Sequence, residues 1–284
     1  MRIVRTVSDV RAFVAHAKRE GKTVGFVPTM GFLHQGHLSL MKAAKEKTDL
    51  VIASIFVNPT QFGPGEDFET YPRDLESDAA LCESVGVDMI FSPEVEEMYP
   101  EGYSATVSVD GYITQALCGA KRPGHFEGVT TVVNKLFNIV MPDFAFFGQK
   151  DAQQVAVIRK MVRDLNMSVT IVPCPIVRED DGLAMSSRNT YLSDIERQDA
   201  LVLSQSIQDA SDMIAKGVLD SKEIYDKMIN RINSVATSRI DYVSIVDNRT
   251  LEDIDQLSGE VLIALAVYIG KTRLIDNKTF YMKA

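Results

Sequence analysis

The feature that most restricts the fold is an alternation of short apolar runs with helical patterns over the first 176 residues. Apolar runs at 23–27, 50–57, 88–91, 144–147 and 169–172 are strand-sized, and helical patterns lie near 37–47, 75–85, 129–140 and 152–165. The last of these repeats apolar residues at Val155, Ile158, Met161, Val162 and Leu165, close to a 3.6-residue period. A further helix over 10–19 carries His16 as a surface residue. Strands that alternate with helices need crossover connections, and these build a parallel sheet covered on both faces.

The expected fold class is therefore α/β, a Rossmann-like doubly wound parallel sheet with a smaller C-terminal α+β domain. The character of the chain changes after Pro173, where Pro175 and the polar stretch EDDG at 179–182 interrupt regularity. Ser193 and Glu196 have the spacing of a capping box, opening a long amphipathic helix that ends near Gly217. A second helix is expected over 221–236, followed by strands over 239–246, 261–269 and 273–280. The domain boundary is placed at 176/177, giving a Rossmann-like domain over 1–176 and a lid-like α+β domain over 177–284.

Composition narrows the partners. The 284 residues are 45% hydrophobic and 24% charged, ordinary for a folded water-soluble chain. A formal net charge of −9 argues against a nucleic-acid partner, which calls for a basic face. Cys82, Cys118 and Cys174 are far apart and form no C-x-x-C pair, so neither a disulfide framework nor a zinc site is expected. A reducing cytoplasm fits that usage. Arg2 and Arg5 precede a polar stretch and not the apolar core of a signal peptide. No run is long and apolar enough for a bilayer, so no membrane partner is expected.

A doubly wound sheet holds its ligand beyond the carboxyl ends of its strands. The chemically suspicious segments lie there. After the first apolar run come PTMG at 28–31 and then His34-Gln-Gly-His37, at the start of a helical pattern. A helix N-terminus offers N–H groups and the positive end of a dipole, glycines permit close approach, and imidazoles donate to phosphate oxygens. Gly148, Gln149, Lys150 and Asp151 follow another strand, with Asp151 placed to cap the next helix and Gln154 at the capping-box partner position. Lys150 then projects beside a bound phosphate. Met185, Ser186, Ser187 and Arg188 bring two hydroxyls and a guanidinium into a loop able to fold over phosphates. The basic turn KRPGHFEG at 121–128 offers anion contacts, and the amides of NPTQ at 58–61 suit a small hydroxylated substrate.

HQGH resembles the H-x-G-H signature of the nucleotidyltransferase superfamily, and 185–188 resembles its second phosphate loop. VPTMGFLHQGH at 27–37, FVNPTQFG at 56–63, YPR at 71–73, RPGHFEG at 122–128, FGQKD at 147–151 and MSSRN at 185–189 together resemble the pantoate–β-alanine ligase family. The resemblance covers the chain up to about 190; the remainder carries little that is distinctive. It implies ATP-dependent condensation of (R)-pantoate with β-alanine through a pantoyl adenylate, releasing AMP and pyrophosphate on the route to pantothenate and coenzyme A. It further implies that Met30, Gly31, Phe32, Leu33, His34, Gln35, Gly36 and His37 hold ATP, with His34 and His37 on its phosphates and His37 as proton donor. Gly148, Gln149, Lys150, Asp151 and Val177 would line the adenosine and phosphate site, and Met185, Ser186, Ser187 and Arg188 would close over the phosphates. His37, His34, Lys150 and Arg188 are the catalytic candidates; Gln61 would contact pantoate and β-alanine, and Gln154 pantoate. Mg²⁺ and a homodimer complete what the resemblance implies, with no metal ligands assigned.

Two other readings share these motifs. One is a related nucleotidyltransferase that releases a stable nucleotidyl product. The other is a non-catalytic nucleotide-binding module. The segments at 58–63 and 122–128 oppose the first, and the intact histidines, Lys150 and Arg188 oppose the second.

Overall fold

The computed structural model describes residues 1–282. In chain order the elements are β1 (Arg2–Val4), α1 (Val7–Arg19), β2 (Val24–Thr29), α2 (Gln35–Lys47), β3 (Leu50–Ile55), α3 (Leu75–Ser84), β4 (Met89–Phe91), α4 (Val95–Met98), α5 (Tyr112–Gln115), α6 (Leu117–Lys121), α7 (His125–Val140), β5 (Phe144–Gly148), α8 (Ala152–Asp164), β6 (Thr170–Cys174), α9 (Asp194–Asp199), α10 (Leu201–Ala215), α11 (Ser221–Asn233), β7 (Ser238–Asp247), β8 (Glu260–Ile269) and β9 (Thr272–Tyr281). They divide into two compact units. The first comprises Met1–Val109, Arg122–Gln149 and Gln154–Pro175; the second comprises Asp110–Lys121, Lys150–Gln153 and the chain from Ile176 on. A single cut at 176/177 thus misses two short segments, 110–121 and 150–153, that cluster with the C-terminal part.

The first unit is built on a six-stranded sheet in the order β1-β4-β3-β2-β5-β6, all pairs parallel. The chain works outward from β2 through β3 to β4, then returns to the other side of β2 with β5 and β6. The switch point therefore falls between β2 and β5, where a doubly wound sheet opens its ligand crevice. The expected α/β class holds, with one strand more than the apolar runs suggest. That strand, β1, has only three residues, and Ile3 is exposed, so it has neither the length nor the burial that leaves a pattern.

Burial explains the strand compositions. Val24, Phe26 and Val27 of β2, Val51, Ile52 and Ala53 of β3 and Ala145, Phe146 and Phe147 of β5 are all buried, as both-sided coverage requires. Helix α7 is buried almost all round; Phe137 meets Phe26 and Phe147 edge-on at 6.4 Å between ring centroids. It starts at His125, four residues before the apolar pattern begins, because Gly124 turns the chain with φ 80° just ahead of it.

In the second unit β7, β8 and β9 form an antiparallel sheet with β8 in the centre. Val261, Ile263, Leu265, Val267 and Ile269 alternate along β8 and pack in one cluster with Leu203, Ile207, Ile224, Met228 and Ile232 from α10 and α11. Ser193 and Glu196 form the expected capping box, but it opens the short α9, and α10 follows directly.

Candidate active site

In the first unit the candidate residues begin at the carboxyl end of β2. His34 is the N-cap of α2, and its Nδ1 accepts from the Gly36 N–H at 3.1 Å. The His37 Nδ1 accepts in turn from the His34 N–H at 3.3 Å, completing a capping box made of two imidazoles. A neutral imidazole that accepts at Nδ1 carries its proton on Nε2. Both rings therefore hold an Nε2–H donor, with centroids 4.1 Å apart. The expectation that helix N–H groups stay open for phosphate is corrected at Gly36, whose N–H is already taken by His34. The helix begins at Gln35, so both histidines belong to its cap and first turn.

The turn ahead of them is held from α3. Gly31 has φ 83° and Phe32 φ 50°, two successive left-handed residues. Asp78, only 2% exposed, accepts from the Phe32 N–H at 2.8 Å and the Leu33 N–H at 2.6 Å. Burial pushes its carboxyl above the usual range, although those two N–H bonds work against the rise. Nothing near residue 78 in the sequence marks it as part of the site.

Gln61 ends a 3-10 turn, Pro59–Gln61, after β3. Its Nε2 lies 3.1 Å from the Met30 Sδ, so Met30 and Gln61 come together. Its Oε1 accepts from the Asn58 Nδ2 at 3.1 Å. Asn58 is almost fully buried; its Nδ2 also donates to the Gly128 carbonyl at 3.2 Å, and its Oδ1 accepts from the Tyr99 hydroxyl at 2.7 Å. Burial pushes the Tyr99 hydroxyl up to about 12, so it stays a donor throughout the neutral range. The basic turn at 121–128 is not an open anion site. Arg122 is occupied by Glu66 through Nε at 2.7 Å and Nη2 at 2.6 Å, and Lys121 ends α6. Burial would raise the Glu66 carboxyl, but the Arg122 hydrogen bonds and charge outweigh it and hold it below its ordinary value.

The remaining candidates follow β5 and β6. Gly148 ends β5, and helical winding starts at Gln149 as a 3-10 turn, Gln149–Asp151. Asp151 is thus the last residue of that turn and not the N-cap expected of it, so the Asp151–Gln154 capping pair has no cap to build on. Its carboxylate still complements the helix dipole and lies 3.6 Å from the Lys150 Nζ. Gln154 is half-buried on α8. In the second unit the Lys150 carbonyl accepts from the buried Asn277 Nδ2 at 2.8 Å, which fixes the backbone under the lysine. The neighbouring Gln153, a residue without any motif, donates to the carbonyls of Ile113 and Ala116 and accepts from the Cys118 N–H.

The loop at 177–189 is fastened within the second unit. The Met185 N–H donates to the Val177 carbonyl at 3.0 Å, bringing those two candidates together. Arg178 spans the Gly182 carbonyl and both oxygens of buried Asp276, at 2.7–2.9 Å. Arg197 bridges Glu179 and Asp181, and Asn189 bonds Glu179. Ser186 caps the 3-10 turn Ser187–Tyr191, accepting from the Arg188 N–H at 3.3 Å. The segment 185–188, expected to close over phosphates, thus lies between ties at Arg178 and Asn189.

A sequence model described as Pantoate-beta-alanine ligase matches residues 2–279. The chain belongs to the pantoate–β-alanine ligase family. It is 58% identical to the pantothenate synthetase of Acetivibrio thermocellus over 277 residues, 98% of each chain. It is 54% identical to that of Clostridium botulinum over 280 residues, 99% of each. Among solved structures, pantothenate synthetase from Thermus thermophilus superposes with a TM-score of 0.95 at 46% identity, over 99% of this chain and 100% of that one. The pantoate-β-alanine ligase of Francisella tularensis, solved with β,γ-ATP and β-alanine, gives 0.81 at 35% identity, over 98% and 97%. As in the sequence reading, the ligase family and the α/β fold are what the chain carries.

Proposed function

We propose that this chain condenses (R)-pantoate with β-alanine at the expense of ATP, in pantothenate biosynthesis. The observation that carries the reading is the double-histidine cap of α2, which follows β2, one of the two strands that flank the switch point of the sheet. The pantoate carboxylate attacks the α-phosphorus, the bond to the bridging oxygen breaks, and pyrophosphate leaves with the electron pair. The β-alanine amine then attacks the acyl carbon, loses a proton, and AMP leaves. A carboxylate and a triphosphate repel one another, so the first step needs donors and positive charge where they meet.

His34 and His37 supply Nε2–H donors to the phosphates, and Lys150 and Arg188 supply charge. Met30, Gly31, Phe32, Leu33, Gln35, Gly36, Gly148 and Gln149 are the nucleotide-binding residues proposed in the first unit, and Asp151, Val177, Met185, Ser186 and Ser187 those proposed in the second. Gln61 and Gln154 orient pantoate. Mg²⁺ is proposed as the counter-ion of ATP, where it would neutralise phosphate charge. Among the described residues no helix is long and apolar enough to cross a membrane. A cytoplasmic homodimer is the expected setting, checked by sedimentation and cell fractionation.

Mixed with ATP, Mg²⁺, pantoate and β-alanine, the protein should yield AMP and pyrophosphate, never ADP. It should also exchange labelled pyrophosphate into ATP only when pantoate is present. Exchange without pantoate, or none with it, overturns the reading. His37→Ala and Lys150→Ala should each lower turnover by about a hundredfold or more, as expected for losing one well-placed donor. His37→Ala should also cost about 1 kcal/mol of stability because it removes half of a helix cap, whereas Lys150→Ala should leave the melting temperature nearly unchanged.

A further inference from the structure

The array around Gln61 has a polarity that only one protonation pattern satisfies. The Gln61 carbonyl can only accept, so the His125 Nδ1, 2.8 Å away, carries a proton and donates to it. Neutral His125 then accepts at Nε2, where the Arg122 Nη1–H donates at 2.9 Å. Arg122 also reaches the same carbonyl through Nη2 at 3.4 Å. Glu66 fixes the guanidinium from its other side through Nε and Nη2. Helix α7 comes close enough for this only because residue 128 is glycine: a Cβ there would lie 2.3 Å from the Thr60 carbonyl oxygen and 2.7 Å from the Gln61 Cα.

We infer that Glu66, Arg122 and His125 are positioning residues for the condensation: a chain of hydrogen bonds running from Glu66 through Arg122 and His125 to the Gln61 carbonyl holds the Gln61 side chain where it meets the acyl substrate. The inference rests on the proposed role of Gln61 and gives a task to the 122–128 segment, which the phosphate chemistry leaves without one. Gln61 is held at both ends. Its backbone carbonyl is fixed by His125 and Arg122, and its side-chain amide by Asn58 and Met30. A carbonyl released from His125 lets the Pro59–Gln61 turn rotate, and a displacement of about 1 Å at a substrate contact costs on the order of a hundredfold in rate.

The test is a kinetic cycle over Gln61→Ala, His125→Ala and the double variant, with His125→Asn and Glu66→Gln alongside. The asparagine amide can reproduce the Nδ1–H donor. Each protein is assayed for pantoate-dependent pyrophosphate exchange, for kcat and for the KM values of pantoate, β-alanine and ATP, with a melting curve. The expected result is a loss of about tenfold to a hundredfold in kcat/KM for pantoate in His125→Ala, with the KM for ATP unmoved. His125→Asn should regain most of it, Glu66→Gln should show a smaller loss in the same parameter, and the double variant should be no worse than Gln61→Ala. If Gln61→Ala leaves the pantoate and β-alanine parameters unchanged, the reading of Gln61 falls and takes this inference with it. If Gln61→Ala is impaired but His125→Ala is silent, additive with it, or equally damaging to ATP binding, the positioning chain alone is overturned.

Discussion

Asp78 is the residue on which the turn at 31–33 depends, although it lies 45 positions from the nearer of its two partners. A carboxylate can accept from both the Phe32 and Leu33 N–H groups at once. Asparagine has one acceptor oxygen and would set its own N–H₂ against a backbone N–H. Asp78→Asn should therefore destabilise the protein by about 1–3 kcal/mol, the cost of a buried unmet donor, measured as a lowered urea midpoint. Because the Gly31–Phe32 pair lies in left-handed geometry that this contact maintains, the same variant should raise the KM for ATP. An unchanged midpoint would mean that the turn holds itself.

At the scale of elements, α7 and the turn Pro59–Gln61 approach so closely that residue 128 has no room for a Cβ. Gly128→Ala should push that turn away, since the new methyl has backbone and not a flexible side chain in its path. The expected cost is about 1–3 kcal/mol for overpacking, with a fall in kcat/KM for pantoate larger than the stability loss accounts for. Circular dichroism and initial rates on the same samples check this; a stable and fully active Gly128→Ala would show that the helix slides freely. The elements themselves were largely legible. β2, β3, β5 and β6 announce themselves as apolar runs, and α8 by its period, because burial of a regular element repeats with that element's geometry. The start of α7 was not, since Gly124 sets it through a positive φ and not through hydrophobicity.

For the whole molecule the balance of carboxylates sets the response to acid. Glu66 is held below its ordinary value because Arg122 outweighs burial, Asp209 by its hydrogen bonds to Arg231, and Asp247 because turn N–H groups outweigh burial. A group depressed in the folded state binds fewer protons there than when unfolded. Its stabilisation is present above the ordinary carboxylate range, near 4, and is lost as pH falls through the folded value. Asp78 runs the other way: raised by burial, it binds its proton more tightly when folded, so its contribution worsens as pH rises from the ordinary range through its raised value. The depressed groups outnumber it, so stability should fall steadily below about pH 4.5, read from urea midpoints across a pH series. Glu66→Gln should flatten that fall, and Asp78→Asn should not.

What the sequence determined by itself was local. Alternating apolar runs specify a parallel sheet because the steric rules that produce them act over a few residues, and HQGH writes a helix cap within four positions. Packing alone settles which side chains stand behind those residues. Glu66 reaches Arg122 across 56 positions, and Asp78 reaches Leu33 across 45. A lone glutamate or aspartate leaves no pattern along the chain, because its role exists only once packing brings a distant donor to it and removes the water that would otherwise serve.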